Sequence, residues 1–322
     1  MNPAMASGDA DAVAVSKRCA CCLADKLQRI EGTGDGLARS MADQHDSGGK
    51  TDPGFVTIRS GTCVLRVRAD LRQCDLLPSL PGGETELAKR YVLERVGSAP
   101  SSRVFRFSLS LDGTERVLYY KEYIDRSVWD TLKHIVRASR ARRAFRASLM
   151  LAAHGISAPD ILALGEVRQA FVCQRCFLVT FAVMASEPVY VLLGDDSARL
   201  GIEALRCKRD LLRTLGHMIG RMHAQGIIHG DLRPGNILGR YNDGQWQVFF
   251  LDNERTRRLP WVPARWRRKN LVQVGMVAAG VSRTDRFRFW RAYLAECPEL
   301  APRAKHWARQ VHARTTARLA KY

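Results

Sequence analysis

The chain has 322 residues, of which 46% are hydrophobic, and it carries a formal net charge of +19 at pH 7. This length and hydrophobic content suffice for one large two-lobed core or two small ones. No stretch approaches the ~18 apolar residues of a membrane-spanning helix, which predicts a soluble or peripheral protein. The nine cysteines, in a sequence without the apolar core of a signal peptide, predict reduced thiols in a cytoplasmic protein.

The first 54 residues differ in composition from the rest. They are rich in Ala, Gly, Asp and Ser and show no helical or strand period, so we predict a disordered N-terminal extension at residues 1–54. Eight acidic and six basic residues give this segment a net charge of −2, which leaves +21 for residues 55–322. Both Met1 and Met41 are compatible with the start of the protein.

A β-hairpin with an unusual lysine is predicted next. Hydrophobic and polar residues alternate over residues 104–111, Asp112-Gly113 supplies a turn, and residues 117–124 return as a second strand. Lys121 lies on the returning strand and shares an apolar face with Tyr123, where a lysine needs an anionic partner such as a nucleotide phosphate. A lysine that extends from the strand end into solvent is the alternative. Residues 96–103, ahead of the hairpin, are either a loop that covers phosphates or a plain polar connection.

Two cysteines further along are spaced like metal ligands. Cys173 and Cys176 form a CxxC motif between apolar residues. A zinc site needs two more ligands at matching spacing, and none stands out in the sequence. We therefore predict that this motif lies at a hairpin turn between two strands.

The most informative segment follows a predicted helix. Apolar residues recur on one helical face over residues 205–225, and Gly226 ends the pattern. The helix leads directly into IHGDLRPGNIL at residues 228–238 and then VFFLD at residues 248–252. The turn-like residues 241–244 between them predict two paired strands. Such a hairpin brings Asn236 and Asp252 to neighbouring ends of one rigid element.

The polar residues of this segment are those that kinase-type phosphoryl transfer requires. Asp231 is the candidate base for the acceptor hydroxyl, and Arg233 is placed to hold the γ-phosphate. Asn236 and Asp252 are candidate ligands of Mg²⁺, which prefers oxygen ligands. A chance turn followed by an ordinary strand-end carboxylate is the alternative, which the agreement of several independent features disfavours.

The order of these features resembles the lipopolysaccharide core kinase family of bacterial protein-kinase-like enzymes. The resemblance covers about residues 60–296 and is carried by Lys121 on a strand, a basic helix, GISAP at residues 155–159 before a further strand, the loop at residues 228–238, and LDNERT at residues 251–256. Residues 269–273 and 282–294 resemble the C-terminal helices of that family. Aminoglycoside-type phosphotransferases share a similar catalytic loop.

The resemblance implies an α+β, two-lobed protein-kinase-like fold. A small lobe of mostly antiparallel sheet with one helix is expected at residues 55–180, and a mostly helical lobe with the catalytic loop at residues 181–322. Residues 179–186 would form the hinge that contacts adenine. The resemblance also implies binding of the α- and β-phosphates of ATP by Lys121.

The implied activity is an ATP- and Mg²⁺-dependent phosphotransferase. Its acceptor would be a heptose or Kdo hydroxyl of the lipopolysaccharide inner core, carried on a lipid A precursor at the cytoplasmic face of the inner membrane. Two other functions stay open: a kinase that acts on a small alcohol or on protein Ser/Thr, and a catalytically idle kinase-like binding module.

Two departures from the kinase pattern bear on the mechanism. Residues 137–154 contain no acidic residue to pair with Lys121, so that Glu122, Glu166 or another residue supplies the charge, or the lysine acts unpaired. Asn253-Glu254 follows Asp252, where kinases usually have Phe-Gly. This difference argues against a switch driven by flipping of that loop.

The positive charge is concentrated in residues 133–146 and 255–269, and the second segment also contains Trp261 and Trp266. Such segments are expected to attract an acceptor that bears phosphates and carboxylates, or an anionic membrane surface. A solvated face of an arginine-rich protein is the alternative. We expect no nucleic-acid partner, because no helix-turn-helix, zinc-finger or RNP pattern accompanies the charge.

Overall fold

The computed structural model describes residues 54–124, 138–169, 172–194, 201–277 and 280–321. The predicted disordered extension lies outside the described residues except for Gly54, and so does the part of the first basic segment at residues 133–137.

An antiparallel sheet of seven strands forms the first half of the described chain. Its strands are β1 (Phe55–Ser60), β2 (Cys63–Arg68), β3 (Glu94–Val96), β4 (Ser102–Leu111), β5 (Thr114–Tyr123), β6 (Ile161–Gln169) and β7 (Val172–Phe181). They are arranged in the order β1-β2-β6-β7-β5-β4-β3. The predicted hairpin is confirmed as β4 and β5, and Asp112 and Gly113 in its turn have φ values of 49° and 73°.

Both faces of this sheet are covered. Phe105, Phe107 and Leu118 pack on one face in a core that also includes helix α1 (Glu84–Ala88). Helix α2 (Arg140–Ala153) packs on the other face, where Phe145 lies in one cluster with Tyr123. The sheet therefore carries two α-helices in the described residues, and the prediction of one helix is wrong because the polar sequence of α1 shows no clear period.

The CxxC motif does not lie at a turn. Cys173 and Cys176 are both within β7, and both are buried against α2. The pairing of β6 with β7 shifts between Val167 and Arg168, which leaves Gln174 as an extra residue in β7. This bulge puts two cysteines three residues apart on the same face, where regular alternation would separate them. The predicted hairpin turn at these residues is wrong.

The second half of the described chain is mostly helical. Its helices are α3 (Val189–Gly194), α4 (Ile202–Ala224), α5 (Ala264–Val274), α6 (Arg283–Glu296) and α7 (Ala304–Leu319). The predicted helix at residues 205–225 is confirmed as α4, which begins three residues earlier. None of the helices in the described residues is both long and apolar enough to cross a membrane.

Short strands lie in and around the predicted catalytic loop at residues 228–238. They are β8 (Ser186–Pro188), β9 (Ile227–Ile228), β10 (Ile237–Asn242), β11 (Gln245–Phe250) and β12 (Arg257–Arg258). The predicted hairpin is confirmed by the antiparallel pairing of β10 with β11, and β9 pairs with β12. An antiparallel-sheet lobe followed by a mostly helical lobe matches the predicted α+β class.

Candidate active site

Lys121 and Asp252 meet between the two halves of the molecule. Lys121 Nζ on β5 lies 2.7 Å from Asp252 Oδ1, just beyond β11. The two side chains are 24% and 34% exposed, so the pair is partly open to solvent. Asp252 is therefore the residue that supplies the charge for Lys121. Of the candidates named from the sequence, Glu166 instead pairs with Arg142 and Arg168.

The environment of Asp252 favours its charged form. Burial raises the pKa of this carboxyl, but the charge and hydrogen bond of the Lys121 ammonium, with smaller contributions from other nearby groups, together hold the pKa below its usual value. Asp252 also has a left-handed backbone, with φ 57° and ψ 51°. A non-glycine residue in this conformation carries strain, which is typical of functional sites.

His229 holds the predicted catalytic loop to the segment before Asp252. Its Nε2 donates to the Leu251 carbonyl at 3.0 Å, and its Nδ1 accepts from the Asp231 amide at 3.1 Å. Burial lowers the pKa of His229, which favours this neutral form. Gly230 has no space for a side chain, since a Cβ there would lie 2.0 Å from Arg255 Cβ. These contacts give His229 a structural role, in which it holds the backbone of the loop.

The two carboxylate oxygens of Asp231 have different surroundings. Oδ1 accepts from Arg233 Nε at 2.9 Å and from Gln273 Nε2 at 2.8 Å. Oδ2 has a long contact of 3.4 Å with Asn236 Nδ2, whose closer partner is the Asp231 carbonyl at 2.9 Å. Oδ2 is thus the oxygen that is left to accept a proton from a hydroxyl group.

Asn270 and Gln273 on α5 hold this loop in place through hydrogen bonds. Asn270 is fully buried; its Oδ1 accepts from the His229 amide at 3.2 Å, and its Nδ2 donates to the His229 carbonyl at 2.6 Å. The Gln273 side chain is also buried and accepts from the Leu232 amide at 3.3 Å. Sequence reasoning assigned residues 269–273 only to a helix, although two amides spaced i,i+3 on an otherwise core-facing helix were the available signal.

Arg140 at the start of α2 is a further residue whose role sequence reasoning missed. Its Nε lies 2.7 Å from Glu254 Oε2, and its Nη1 donates to the Ser101 carbonyl at 2.8 Å. The guanidinium also lies 5.0 Å from the centre of the Tyr123 ring. Arg140 therefore joins the segment after Asp252 to the loop before β4, where the sequence placed a possible phosphate-covering loop.

The predicted metal ligands lie at one end of the β10–β11 hairpin. Asn236 directly precedes β10, and the Leu251 amide donates to its carbonyl at 2.9 Å, so that Asp252 follows one residue later. The described residues contain no group of three or more His, Cys, Asp or Glu that could enclose a metal ion. Mg²⁺ does not need such a cage, because it usually keeps several waters and binds one or two protein oxygens together with phosphates. The residues present fit this mode of binding.

Arg233 is positioned at the mouth of the site. Its side chain is 60% exposed, and its Nε lies 2.9 Å from Asp231 Oδ1. An exposed guanidinium next to the candidate base is free to turn toward an anionic group. The structure thus brings Asp231, Arg233 and Asn236 together on one loop, with Lys121 and Asp252 as a second, neighbouring pair.

Comparison with known proteins gives a consistent family. A model described as the lipopolysaccharide kinase (Kdo/WaaP) family matches residues 89–293. The chain is 27% identical over 159 residues to the lipopolysaccharide core heptose(I) kinase WaaP of Pseudomonas aeruginosa, which covers 48% of this chain and 59% of the relative. It is 29% identical over 97 residues to the enzyme of the same name from Escherichia coli, covering 28% of this chain and 37% of the relative. The chain thus spans less than two thirds of either relative.

A solved structure of WaaP in complex with acyl carrier protein is similar in fold. The TM-score is 0.54 at 21% sequence identity, and the match covers 76% of this chain and 96% of that chain. Together with the lobe of antiparallel sheet and the mostly helical lobe, this similarity confirms the predicted two-lobed protein-kinase-like fold.

Proposed function

Because the chain belongs to the lipopolysaccharide kinase (Kdo/WaaP) family, we propose that it transfers the γ-phosphoryl group of ATP to a heptose or Kdo hydroxyl of the lipopolysaccharide inner core. The observation that carries this proposal is the contact between Lys121 and Asp252 beside the Asp231 loop. These three residues come from distant parts of the sequence and supply the charges that phosphoryl transfer requires.

Each site residue has a distinct role in this proposal. Asp231 Oδ2 orients the acceptor hydroxyl and receives its proton, while the bonds from Gln273 and Arg233 fix Oδ1. Lys121 binds the α- and β-phosphates, and Arg233 turns toward the transferring phosphoryl group. Asn236 and Asp252 would hold Mg²⁺, and the bound ion would neutralise part of the phosphate charge.

The nucleotide lies between the two lobes in this proposal. The connection at residues 179–186 leaves β7 and enters β8, and its backbone is the candidate contact for adenine. The lobes divide at the proposed boundary between residues 55–180 and 181–322. Arg140 then fixes the loop at residues 97–101 above the phosphates through its bond to the Ser101 carbonyl.

The proposed acceptor sugar is attached to a membrane lipid. The lipopolysaccharide core on its lipid A precursor is presented at the cytoplasmic face of the inner membrane, so we place the protein there as a peripheral enzyme. The large positive charge of residues 55–322 supports an approach to an anionic surface, since each basic residue near such a surface contributes about 1 kcal/mol. Nucleic acid has no part in this proposal.

The test is a direct assay of phosphate transfer. The purified full chain is incubated with Mg²⁺ and γ-labelled ATP in the presence of inner-core oligosaccharide, an aminoglycoside or a Ser/Thr peptide, and the products are identified by mass spectrometry. We expect label on the oligosaccharide and its loss in the Asp231→Ala variant. Label on the aminoglycoside or the peptide alone contradicts the proposed acceptor. A chain without Mg²⁺-dependent ATP binding or hydrolysis is the idle module instead.

A further inference from the structure

Three cations surround one tryptophan beside the catalytic loop. The guanidinium carbons of Arg257 and Arg265 lie 4.7 Å and 5.9 Å from the centre of the Trp266 ring. Lys269 Nζ lies 5.0 Å from the same centre. We call these four residues the Trp266 cluster. The indole ring attracts each cation, but it carries no net charge and therefore does not neutralise them.

The three cations of the cluster lack acidic partners in the part of the chain that the structure describes, in contrast to several other surface arginines. Within the described ranges, none of its three cations forms an ion pair with a carboxylate. Elsewhere on the surface, Arg106 pairs with Glu94 and Arg206 pairs with Glu203. Gathering like charges without counterions is unfavourable, so the arrangement indicates that an anion from outside the chain completes it.

The electrostatic surroundings of Lys269 support this interpretation. Burial lowers the pKa of its ammonium, and the nearby charges of Arg255, Arg318 and Arg257 lower it further, whereas Asp231 raises it. Of these charges Arg257 belongs to the cluster, so that at least one member of the cluster repels another. An anion bound there would relieve this repulsion.

The cluster is fixed next to the residues that are proposed to act on the acceptor. Lys269 Nζ donates to the Gly230 carbonyl at 3.0 Å, directly before Asp231. Arg257 on β12 pairs with Ile228 on β9, two residues before Gly230. Lys269 is thus held by its side chain, and Arg257 by its backbone, to the segment directly before Asp231, so that the fold keeps both residues close to it.

We propose that the Trp266 cluster is a subsite that binds a phosphate or carboxylate group of the acceptor saccharide. This inference rests on the proposed function, since it assigns the acceptor hydroxyl to Asp231 and a neighbouring anionic group of the same molecule to Arg257, Arg265 and Lys269. An anionic group bound here would hold the acceptor so that its hydroxyl lies at Asp231. Binding at a distance from the reacting atoms orients them in this way and thereby lowers the barrier to reaction. A phospholipid headgroup presents similar oxygens, but the fixed position beside Gly230 favours the saccharide.

The experiment measures binding without turnover. The full chain, its Arg257→Gln/Arg265→Gln variant and a control, Arg59→Gln/Arg116→Gln, are titrated calorimetrically with acyl-free inner-core oligosaccharide. The control removes the same charge from exposed positions on β1 and β5 of the sheet. The titration is repeated with a neutral derivative, in which phosphates are removed and carboxylates are reduced to alcohols. Sedimentation with phosphatidylglycerol vesicles forms the third arm.

We expect the cluster variant to bind the anionic oligosaccharide at least about tenfold more weakly than the control, as the loss of one charge-assisted contact predicts. The neutral derivative should bind all three proteins equally, and the vesicles should not distinguish the two variants. Unchanged affinity of the cluster variant for the anionic oligosaccharide overturns the subsite, and so does the absence of measurable binding by the parent chain. A loss of vesicle binding alone also overturns it and assigns the cluster to lipid. The titration contains no ATP and therefore reports binding independently of turnover. Binding in this titration, together with no phosphate transfer in the assay with labelled ATP, would refute the proposed function and leave the subsite standing.

Discussion

Arg140 and Glu254 form an ion pair that joins α2 to the segment after Asp252, with Arg140 Nε 2.7 Å from Glu254 Oε2. Protein kinases place a glutamate on the corresponding helix and pair it with the strand lysine. The charges are reversed in this chain, because the helix supplies the cation and the segment at residues 252–254 supplies the carboxylates. Lys121 then pairs with Asp252, so that two ion pairs join the first lobe to the same short segment.

The Arg140–Glu254 pair is predicted to be important for both stability and nucleotide binding. Its side chains are only 16% and 6% exposed. Removing one partner of a buried pair leaves an uncompensated charge, at a cost of about 3–5 kcal/mol. Glu254→Gln should lower the free energy of unfolding by this order, measured by urea denaturation. The exposed pair is the control, and Glu94→Gln should cost less than about 1 kcal/mol.

A charge exchange tests whether the two residues act as a pair. Arg140→Glu and Glu254→Arg are each expected to weaken ATP binding. The first variant removes the hydrogen bond from Arg140 to the Ser101 carbonyl, and the second removes the carboxylate that pairs with Arg140. The double variant should recover part of the lost stability, which measures the interaction energy of the pair. Strictly additive losses in the double variant would show that the two residues act independently.

Gln273 is predicted to position the catalytic base. Its Nε2 donates to Asp231 Oδ1 and is one of two bonds that orient the carboxylate. In Gln273→Leu, Oδ1 keeps only the bond from the exposed Arg233, so that the carboxylate is held less firmly. We expect kcat to fall by about tenfold to a hundredfold, since small misplacements of reacting groups have such effects. The KM for ATP should stay within about twofold, because Gln273 has no proposed contact with the nucleotide.

The effect of Gln273 must be separated from a general loss of structure. Gln247→Leu on the exposed β10–β11 hairpin removes a glutamine that contacts Arg240 and should leave kcat unchanged. Asp231→Ala provides the lower limit, with a loss of about 10²–10⁴ expected for removal of a general base. Parallel increases in the KM for ATP and in the acceptor KM of Gln273→Leu would contradict a positioning role.

Lys121 and Asp252 are predicted to differ in how they depend on Mg²⁺. Lys121 contacts phosphates directly in the proposed complex, so Lys121→Met should weaken ATP binding by about tenfold with or without Mg²⁺, the loss of one charge-assisted contact. Asp252→Asn should weaken binding only when Mg²⁺ is present, because it removes a metal ligand. Calorimetric titration with ATP in Mg²⁺ or in EDTA distinguishes the two. Equal effects of Asp252→Asn in both conditions would remove it from the metal site.

The features that the sequence predicted well depend on local patterns. Alternation and Asp112-Gly113 define the β4–β5 hairpin, helical periodicity defines α4, and the spacing of Asp231 and Asn236 defines the loop. Each of these signals lies within a few tens of residues and is fixed by backbone geometry. The positions of these elements therefore agree closely with the structure.

The features that the sequence did not predict depend on contacts between distant residues. Arg140 and Glu254 are 114 residues apart, and Gln273 and Asp231 are 42 apart, so that only the folded chain shows them together. The CxxC motif was assigned wrongly because a one-residue bulge reverses the usual alternation of a strand. Side-chain pairing across a fold is set by tertiary packing, which leaves no periodic trace in the sequence.

His223 is predicted to make the protein less stable in mild acid. It is buried between α4, α5 and α6, where its Nδ1 accepts from the Tyr293 hydroxyl at 2.8 Å and its Nε2 donates to Asn270 Oδ1 at 3.2 Å. Burial, with a further contribution from the Arg267 guanidinium, lowers the pKa of His223 to about 3. The folded protein therefore keeps this imidazole neutral at pH values where the unfolded chain protonates it.

The direction of the pH effect follows from proton binding. An unfolded histidine binds a proton below about pH 6.5, whereas His223 in the folded protein does so only near pH 3. Between these values the unfolded state holds the extra proton, so His223 lowers the free energy of unfolding by up to about 1.4 kcal/mol for each unit of falling pH. The lowered pKa of His229 acts in the same direction. Urea denaturation at pH 7, 6 and 5 should show this decline.

A glutamine at position 223 isolates the contribution of the imidazole. Glutamine offers an acceptor to Tyr293 and a donor to Asn270 but does not titrate. Between pH 6 and pH 5, the free energy of unfolding should fall by ~1 kcal/mol less in His223→Gln than in the parent chain, because no imidazole at this position takes up a proton on unfolding. The same substitution at the exposed His312 is the control for a general effect of removing a histidine. If His223→Gln declines as steeply as the parent chain, another group carries the acid sensitivity.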